Sequence, residues 1–272
     1  MNQLISAIFV ASAASYLASC ALFVARIRRS PTTHLRPQWP PRLLEIGAGL
    51  HLTYLVLYSV VDRLCPLFSL HSALGIVSLV GVVAYAILSR GRRLDALGGF
   101  VAALAALFLV TAHGIGARPT STGDRWLVAV HITANLLGGG VLLVAGCASA
   151  FYLWSERRLR RRRSLARGPR LPPLESLDAV VHRLLWFGVP LLTIGIVTGR
   201  MVIEHVETVS AGERVRAVLS IASWLLLLAV LLLRQLRGWR GRRPAYAALG
   251  GAVGILLVIA LYVARALLGD GG

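Results

Sequence analysis

The groups in this sequence best suited to bind something are imidazole and amide side chains placed inside long apolar runs. His131 and Asn135 stand four residues apart in WLVAVHITANLLGGGVLLVAGCASAFYLW (126–154), a spacing that puts both on one face of a helix. His51 lies in the middle of EIGAGLHLTYLVLYSVVD, with Tyr54 and Tyr58 on the same face. His71 opens one apolar run, His113 closes the next, and His205 follows a third in the acidic stretch EHVETVSAGER. An uncompensated polar group in an apolar run is costly, so it is either partnered or functional. For His51 two readings compete, a hydrogen bond to a neighbouring helix and a ligand to a metal. His131 has the same pair of readings, the first being an interfacial ring bonded to a backbone carbonyl. Neutral imidazole is the commonest nitrogen donor to haem iron and to divalent cations, so a haem or metal site is the functional expectation.

Other chemistry is excluded. Cys20, Cys65 and Cys147 form neither C-x-x-C nor C-x-x-C-H, so the chain carries no dithiol redox pair and no c-type haem attachment site. It has no phosphate-binding glycine loop, no serine-histidine-aspartate set and no H-E-x-x-H. Asp62, Asp95 and Asp124 sit at the ends of apolar runs, which argues against a proton-relay pump. Glu204, Glu207 and Glu213 beside His205 compose a conceivable carboxylate metal site, though a solvated acidic loop accounts for them as well.

The elements that must position these groups are membrane helices. Hydrophobic residues make up 57% of the chain and its mean hydropathy is +0.72, with charge confined to short clusters. Apolar runs long enough to span a bilayer fall near 3–26, 43–62, 70–89, 94–113, 126–154, 180–203, 215–234 and 245–268. This predicts an all-α integral membrane protein, a bundle of about eight transmembrane helices forming a single domain over 1–272. The stretch 70–113 alone leaves room for a re-entrant pair. Leu17-Ala-Ser-Cys20 looks like a lipoprotein cleavage box, but charge follows the apolar run instead of preceding it, so an uncleaved helix is expected. Gly195 and Gly199, like Gly250 and Gly254, leave a stripe without side-chain bulk against which another helix can pack closely.

All 29 basic residues are arginine and the net charge is +18. Their distribution argues for a membrane and against nucleic acid. The loops at 26–42, 90–93, 155–179 and 234–243 hold 21 arginines, and those at 63–69, 114–125 and 204–214 hold 4. Under the positive-inside rule the first set is cytoplasmic and both termini lie outside. His71, His113, His131 and His205 then all fall near the outer face.

From His131 onward the wording resembles a known family. HITANLLGGGVLLVAGCASAFYLWSERRLRRR, LPPLESLDAVVHRLLWFGVPLLTIGIVTG and RGWRGRRPAYAALGGAVGI are similar to the membrane proteins of cytochrome c assembly, the CcsA and HemX-like family. The resemblance covers roughly the C-terminal half. It implies a bundle that binds haem, presents it on the outer face and assists its attachment to apocytochrome c. His131 matches the outer-face haem-ligating histidine. Where the family's synthases carry W-G-x-x-W-x-W-D, this chain reads EHVETVSAGERVRAVLS, and the later histidines are missing as well. The HemX-like branch therefore fits better, an accessory factor and not a haem-ligase enzyme.

The resemblance implies haem b as cofactor. His131 is expected as one axial ligand, the second coming from His51, His71 or His205, with Asn135 orienting ligand or propionate and Arg125 or Arg200 pairing with propionates. The implied partners are membrane lipid, other cytochrome c assembly proteins and apocytochrome c. The implied location is a bacterial inner (cytoplasmic) membrane, crossed many times. A b-type electron carrier and a non-haem scaffold of an assembly complex are the alternative readings.

The arginine asymmetry makes a direct prediction. Reporter enzymes fused within 155–179 should be active only in the cytoplasm, and fusions at 204–214 or at the C-terminus only outside. A fusion within 155–179 that is active outside would overturn the orientation.

Overall fold

In lipid a spanning segment has no water to satisfy its backbone, so long apolar runs become helices whose hydrogen bonds close within the segment. The computed structural model describes residues 2–28, 39–62, 69–90, 94–116, 125–160, 173–203 and 210–268. These form eight helices: α1 (Asn2–Arg28), α2 (Trp39–Asp62), α3 (Leu70–Ser89), α4 (Asp95–Ile115), α5 (Arg125–Arg160), α6 (Leu174–Ile203), α7 (Ala211–Arg237) and α8 (Arg242–Leu268). All eight are long and apolar enough to cross a bilayer, and the chain is an all-α, multi-span membrane protein. The 70–113 stretch forms two separate helices, each of spanning length.

Two helices reach further into the basic segment than hydropathy alone predicts. Helix α5 continues to Arg160, supported by a Glu156–Arg160 pair at 2.8 Å one turn apart and by arginines at the negative end of its dipole. Helix α6 begins at Leu174, where Ser176 and Leu177 N–H groups donate to the Pro173 carbonyl. The LESLD phrase, expected in a loop, is thus the first turn and a half of α6. Helix α7 opens with a capping box, in which Ser210 Oγ accepts from Glu213 N–H and the Glu213 carboxylate accepts from Ser210 N–H. Glu213 therefore has a structural role. Glu204, His205 and Glu207 lie outside the described residues.

The helices assemble as two groups of four. Helix α1 packs on α2 and α4, and α3 on α2 and α4; in the second group α5 packs on α6 and α8, and α7 on α6 and α8. The seam between the groups is mainly α3 against α5. Helix α5 can meet three neighbours because of its glycine triplet, whose members project about 100° apart. A Cβ on Gly138 would lie 3.1 Å from Gly188 O on α6, one on Gly140 would lie 3.0 Å from Val77 O on α3, and Gly139 faces Ile255 on α8 at 3.9 Å. Between α7 and α8 the same device recurs, with Gly251 against Leu227 and Gly254 against Ser223.

These distances separate the three glycines experimentally. Gly140→Ala drives a methyl into the α3 backbone and should cost about 1–3 kcal/mol. Gly139→Ala meets ordinary contact distance and should be neutral or slightly stabilising through helix propensity. Thermal unfolding of both variants in one detergent tests this, and equal midpoints would remove the close α3–α5 approach.

Candidate functional site

His131 lies in the seam between α5 and α6. Its Nδ1 is 2.7 Å from the Gly195 carbonyl oxygen. A carbonyl only accepts, so Nδ1 carries the hydrogen and the neutral ring keeps the Nε2 lone pair. A ring fixed through Nδ1–H on a backbone carbonyl is the arrangement that orients imidazole for metal ligation through Nε2. Asn135, one turn on, donates from Nδ2 to the His131 carbonyl at 2.8 Å. The same nitrogen lies 3.3 Å from Nδ1 and 3.4 Å from Nε2. Because Nδ1 carries the hydrogen, the Nε2 lone pair is the acceptor of this long amide contact, which a ligand at Nε2 would displace. Both side chains are half-buried.

The sequence builds this seam through missing side chains. A Cβ on Gly199 would fall 2.5 Å from His131 Cε1, and one on Gly195 would collide with the Asn135 amide. Gly195 and Gly199 do face a neighbouring helix at close approach, and what they admit is the polar pair on α5. Thr198 also donates its hydroxyl to the Gly195 carbonyl at 3.1 Å.

His51, His71 and His113 form a different cluster, inside the first four helices. His51 is fully buried and shares a 3.2 Å hydrogen bond between its Nδ1 and Tyr16 OH, while its Nε2 is buried beside Gly75. His71 donates from Nδ1 to the Ala112 carbonyl at 2.8 Å and stacks on Tyr58 at 4.3 Å. His113 pairs through Nδ1 with Tyr54 OH at 2.9 Å and stacks on Phe9 at 3.8 Å. Tyr54 and Tyr58 thus line a polar aromatic seam. His131 and Gly140 lie about 180° apart around α5, and Gly140 is the residue that meets α3. His51 and His71 are therefore brought to each other and to His113, but not to the seam that holds His131. His205 is outside the described residues, as is the side chain of Arg125.

At the arginine-rich end the structure reveals a clamp that the sequence reading passed over. Arg234 of α7 holds Asp178 of α6 with two bonds, 2.8 and 2.6 Å, and Gly241 N–H adds a third at 3.4 Å. Glu156 pairs with Arg160 at 2.8 Å and with Arg242 at 3.6 Å. Acids placed at the ends of apolar spans, opposite an arginine ending another span, are the signal that could have identified these pairs. His182, at the same end, accepts from Trp186 Nε1 at 3.2 Å.

On donor chemistry, His131 fits an axial ligand to haem iron. The two best-formed cavities hold only about 10 Å³ each, lined by Tyr152, Asp178 and Arg234 or by Val77, Gly81 and Gly140. Neither contains His131, and neither is of porphyrin size. Among the described residues no group of three or more histidine, cysteine or acidic side chains is arranged to hold a metal ion.

Residues 50–269 match the family model of the cytochrome C assembly protein. The chain is 29% identical to the inner membrane protein YpjD of Escherichia coli K12 over 136 residues, half of each chain. It is 30% identical to the cytochrome c biogenesis protein CcsA of Microcystis aeruginosa over 204 residues, 74% of this chain and 53% of that one. With CcsA of Guillardia theta it shares 27% over 163 residues, 54% of this chain and 53% of that one. The chain spans about half the length of these relatives.

The seam predicts a graded effect of side-chain size at Gly199. Gly199→Ala should displace the His131 ring from the Gly195 carbonyl and lower stability by about 1–3 kcal/mol. In the His131→Ala background the same substitution should cost much less, because the space is then free. Thermal midpoints of the two singles and the double measure the coupling, and additive effects would refute the contact.

Proposed function

The chain belongs to the cytochrome c assembly protein family, and from that premise we propose that it is a haem-handling membrane protein that supports cytochrome c biogenesis. In this reading the Nε2 nitrogen of His131 would be a ligand to the iron of haem b. The carrying observation is the Nδ1 hydrogen bond to Gly195, which fixes tautomer and ring plane and leaves Nε2 as the acceptor nitrogen, met by Asn135 Nδ2 at 3.4 Å. Asn135 holds the first turn of the seam against the ring and can orient a ligand or a propionate by hydrogen bonding. Arg200, exposed one residue beyond Gly199, would pair with a propionate in this reading. When bound, haem would supply the redox-active iron and the vinyl groups that cytochrome c attachment consumes. The protein's own part is to bind, orient and shield.

Of the three candidates for a second ligand, His51, His71 and His205, the last lies outside the described residues. His51 and His71 serve the first group of helices. The absence of the W-G-x-x-W-x-W-D sequence supports an accessory, HemX-like role and not haem-ligase activity. A bacterial inner membrane and partnership with other assembly proteins or apocytochrome c belong to the same reading.

Haem loading of the purified protein tests it. Wild type should take up haem and give a Soret band, and His131→Ala, loaded identically, should lose most of it and regain it with added imidazole. Equal occupancy with an unchanged spectrum would remove His131 from the site.

A further inference from the structure

Two arginines from different helices converge on one neutral oxygen at the arginine-rich end. Arg157, near the end of α5, donates from Nη2 to Tyr246 OH at 2.8 Å, and Arg242, which opens α8, donates to the same oxygen at 3.4 Å. Both guanidinium groups also lie against the Tyr246 ring, 6.0 and 5.6 Å from its centroid. The two Nη2 atoms can be no further apart than these two bonds laid end to end, about 6 Å. A phenol carries no charge, so this contact leaves two cations side by side. The nearest carboxylate, Glu156, gives one oxygen to Arg160 at 2.8 Å and reaches Arg242 only at 3.6 Å. Arg243 follows directly, and the first turn of α8 contains no acid to offset the positive end of its dipole. Arg157, Arg242, Arg243 and Tyr246 are all exposed.

From this arrangement we propose that the start of α8 binds an anionic phospholipid, with the lipid phosphate between Arg157 and Arg242 against Tyr246. A phosphodiester brings one negative charge on two oxygens, which matches two guanidinium forks at this separation. Tyr246 has the apolar body and polar tip suited to headgroup depth. A free phosphate would use the same cations, but the surface continues in a way that only a lipid uses. Gly250, Val253 and Leu257 follow Tyr246 at helical spacing on one stripe of α8, and all are exposed, Val253 by 44% and Leu257 by 50%. This apolar track starts at the cation pair and runs into the membrane span, where it can take an acyl chain.

The test uses the full chain in detergent micelles, relipidated with phosphatidylglycerol or phosphatidylcholine, with bound lipid counted by native mass spectrometry. Wild type should retain phosphatidylglycerol in preference to phosphatidylcholine. Arg157→Gln/Arg242→Gln should reduce retention roughly tenfold or more. A double variant that removes equal charge at the same end, Arg158→Gln/Arg237→Gln, should keep most of it. Should the first double variant fail to fold, Arg157→Lys keeps the charge without the fork and should lower retention roughly two- to threefold. Equal retention by wild type and the Arg157/Arg242 variants, or no preference between the two lipids, would overturn the site. Displacement of the lipid by millimolar inorganic phosphate, with the same thermal stabilisation, would make free phosphate the ligand and overturn the lipid assignment.

Discussion

The bundle depends on how closely three helices can approach α5 in a medium where apolar contact alone gives helices no reason to associate. Lipid tails are as apolar as leucine, so association rests on van der Waals contact and on the few polar bonds that close approach permits. Gly138, Gly139 and Gly140 point in three directions and set three interfaces at once, with α6, α8 and α3. Glycine in a helix interior costs about 1 kcal/mol relative to alanine, and Gly138 and Gly140 each remove a collision, whereas Gly139 meets its neighbour at ordinary contact distance. The join between the two groups of four helices is mainly α3 against α5, and the approach of Gly140 to Val77 and Val80 lies within it.

The same close approach decides what happens to polar groups. His131 reaches the Gly195 carbonyl because neither Gly195 nor Gly199 has a Cβ in its way. His71 similarly finds a backbone carbonyl, and His51 and His113 find tyrosine hydroxyls. Interhelical bonds of this kind contribute roughly 0.6–2 kcal/mol in membranes. They therefore specify register more than they stabilise the bundle. His131 is distinguished less by burial than by its free geometry: one nitrogen is committed to the fold, and the other lies in a half-open seam at the arginine-poor end.

At the arginine-rich end the constraint is charge. Asp178, gripped by Arg234 with Gly241 N–H beside it, ties α6 to α7 and to the start of α8. Glu156 draws α5 toward α8 through Arg242. Four helices are thus clamped where their apolar spans end. Arginine suits this because its planar fork makes two parallel bonds to a carboxylate and stays charged at the membrane surface. In the proposed lipid site the phosphate meets Arg157 and Arg242, the latter at the edge of this clamp.

Much of this was legible in the residues themselves. Apolar runs of spanning length dictate eight helices, because no other backbone arrangement survives in lipid, and the boundaries of α3 follow from hydropathy unchanged. The spacing of Gly195 and Gly199 announces a close helix contact, and His131 with Asn135 announces a polar face. Sequence could not name the partners, because a one-dimensional pattern gives the face of a helix and not the neighbour across it. Only the tertiary arrangement sends His131 toward α6, on the side of α5 opposite to α3, and sends His51 and His71 into a separate seam. Only it turns LESLD from a loop into the opening of α6, where Asp178, one of the two acids that interrupt the hydropathy signal, is paired with Arg234, distant in the chain. Periodicity is local and survives in the sequence; charge compensation and ligand pairing are long-range, and the fold alone decides them.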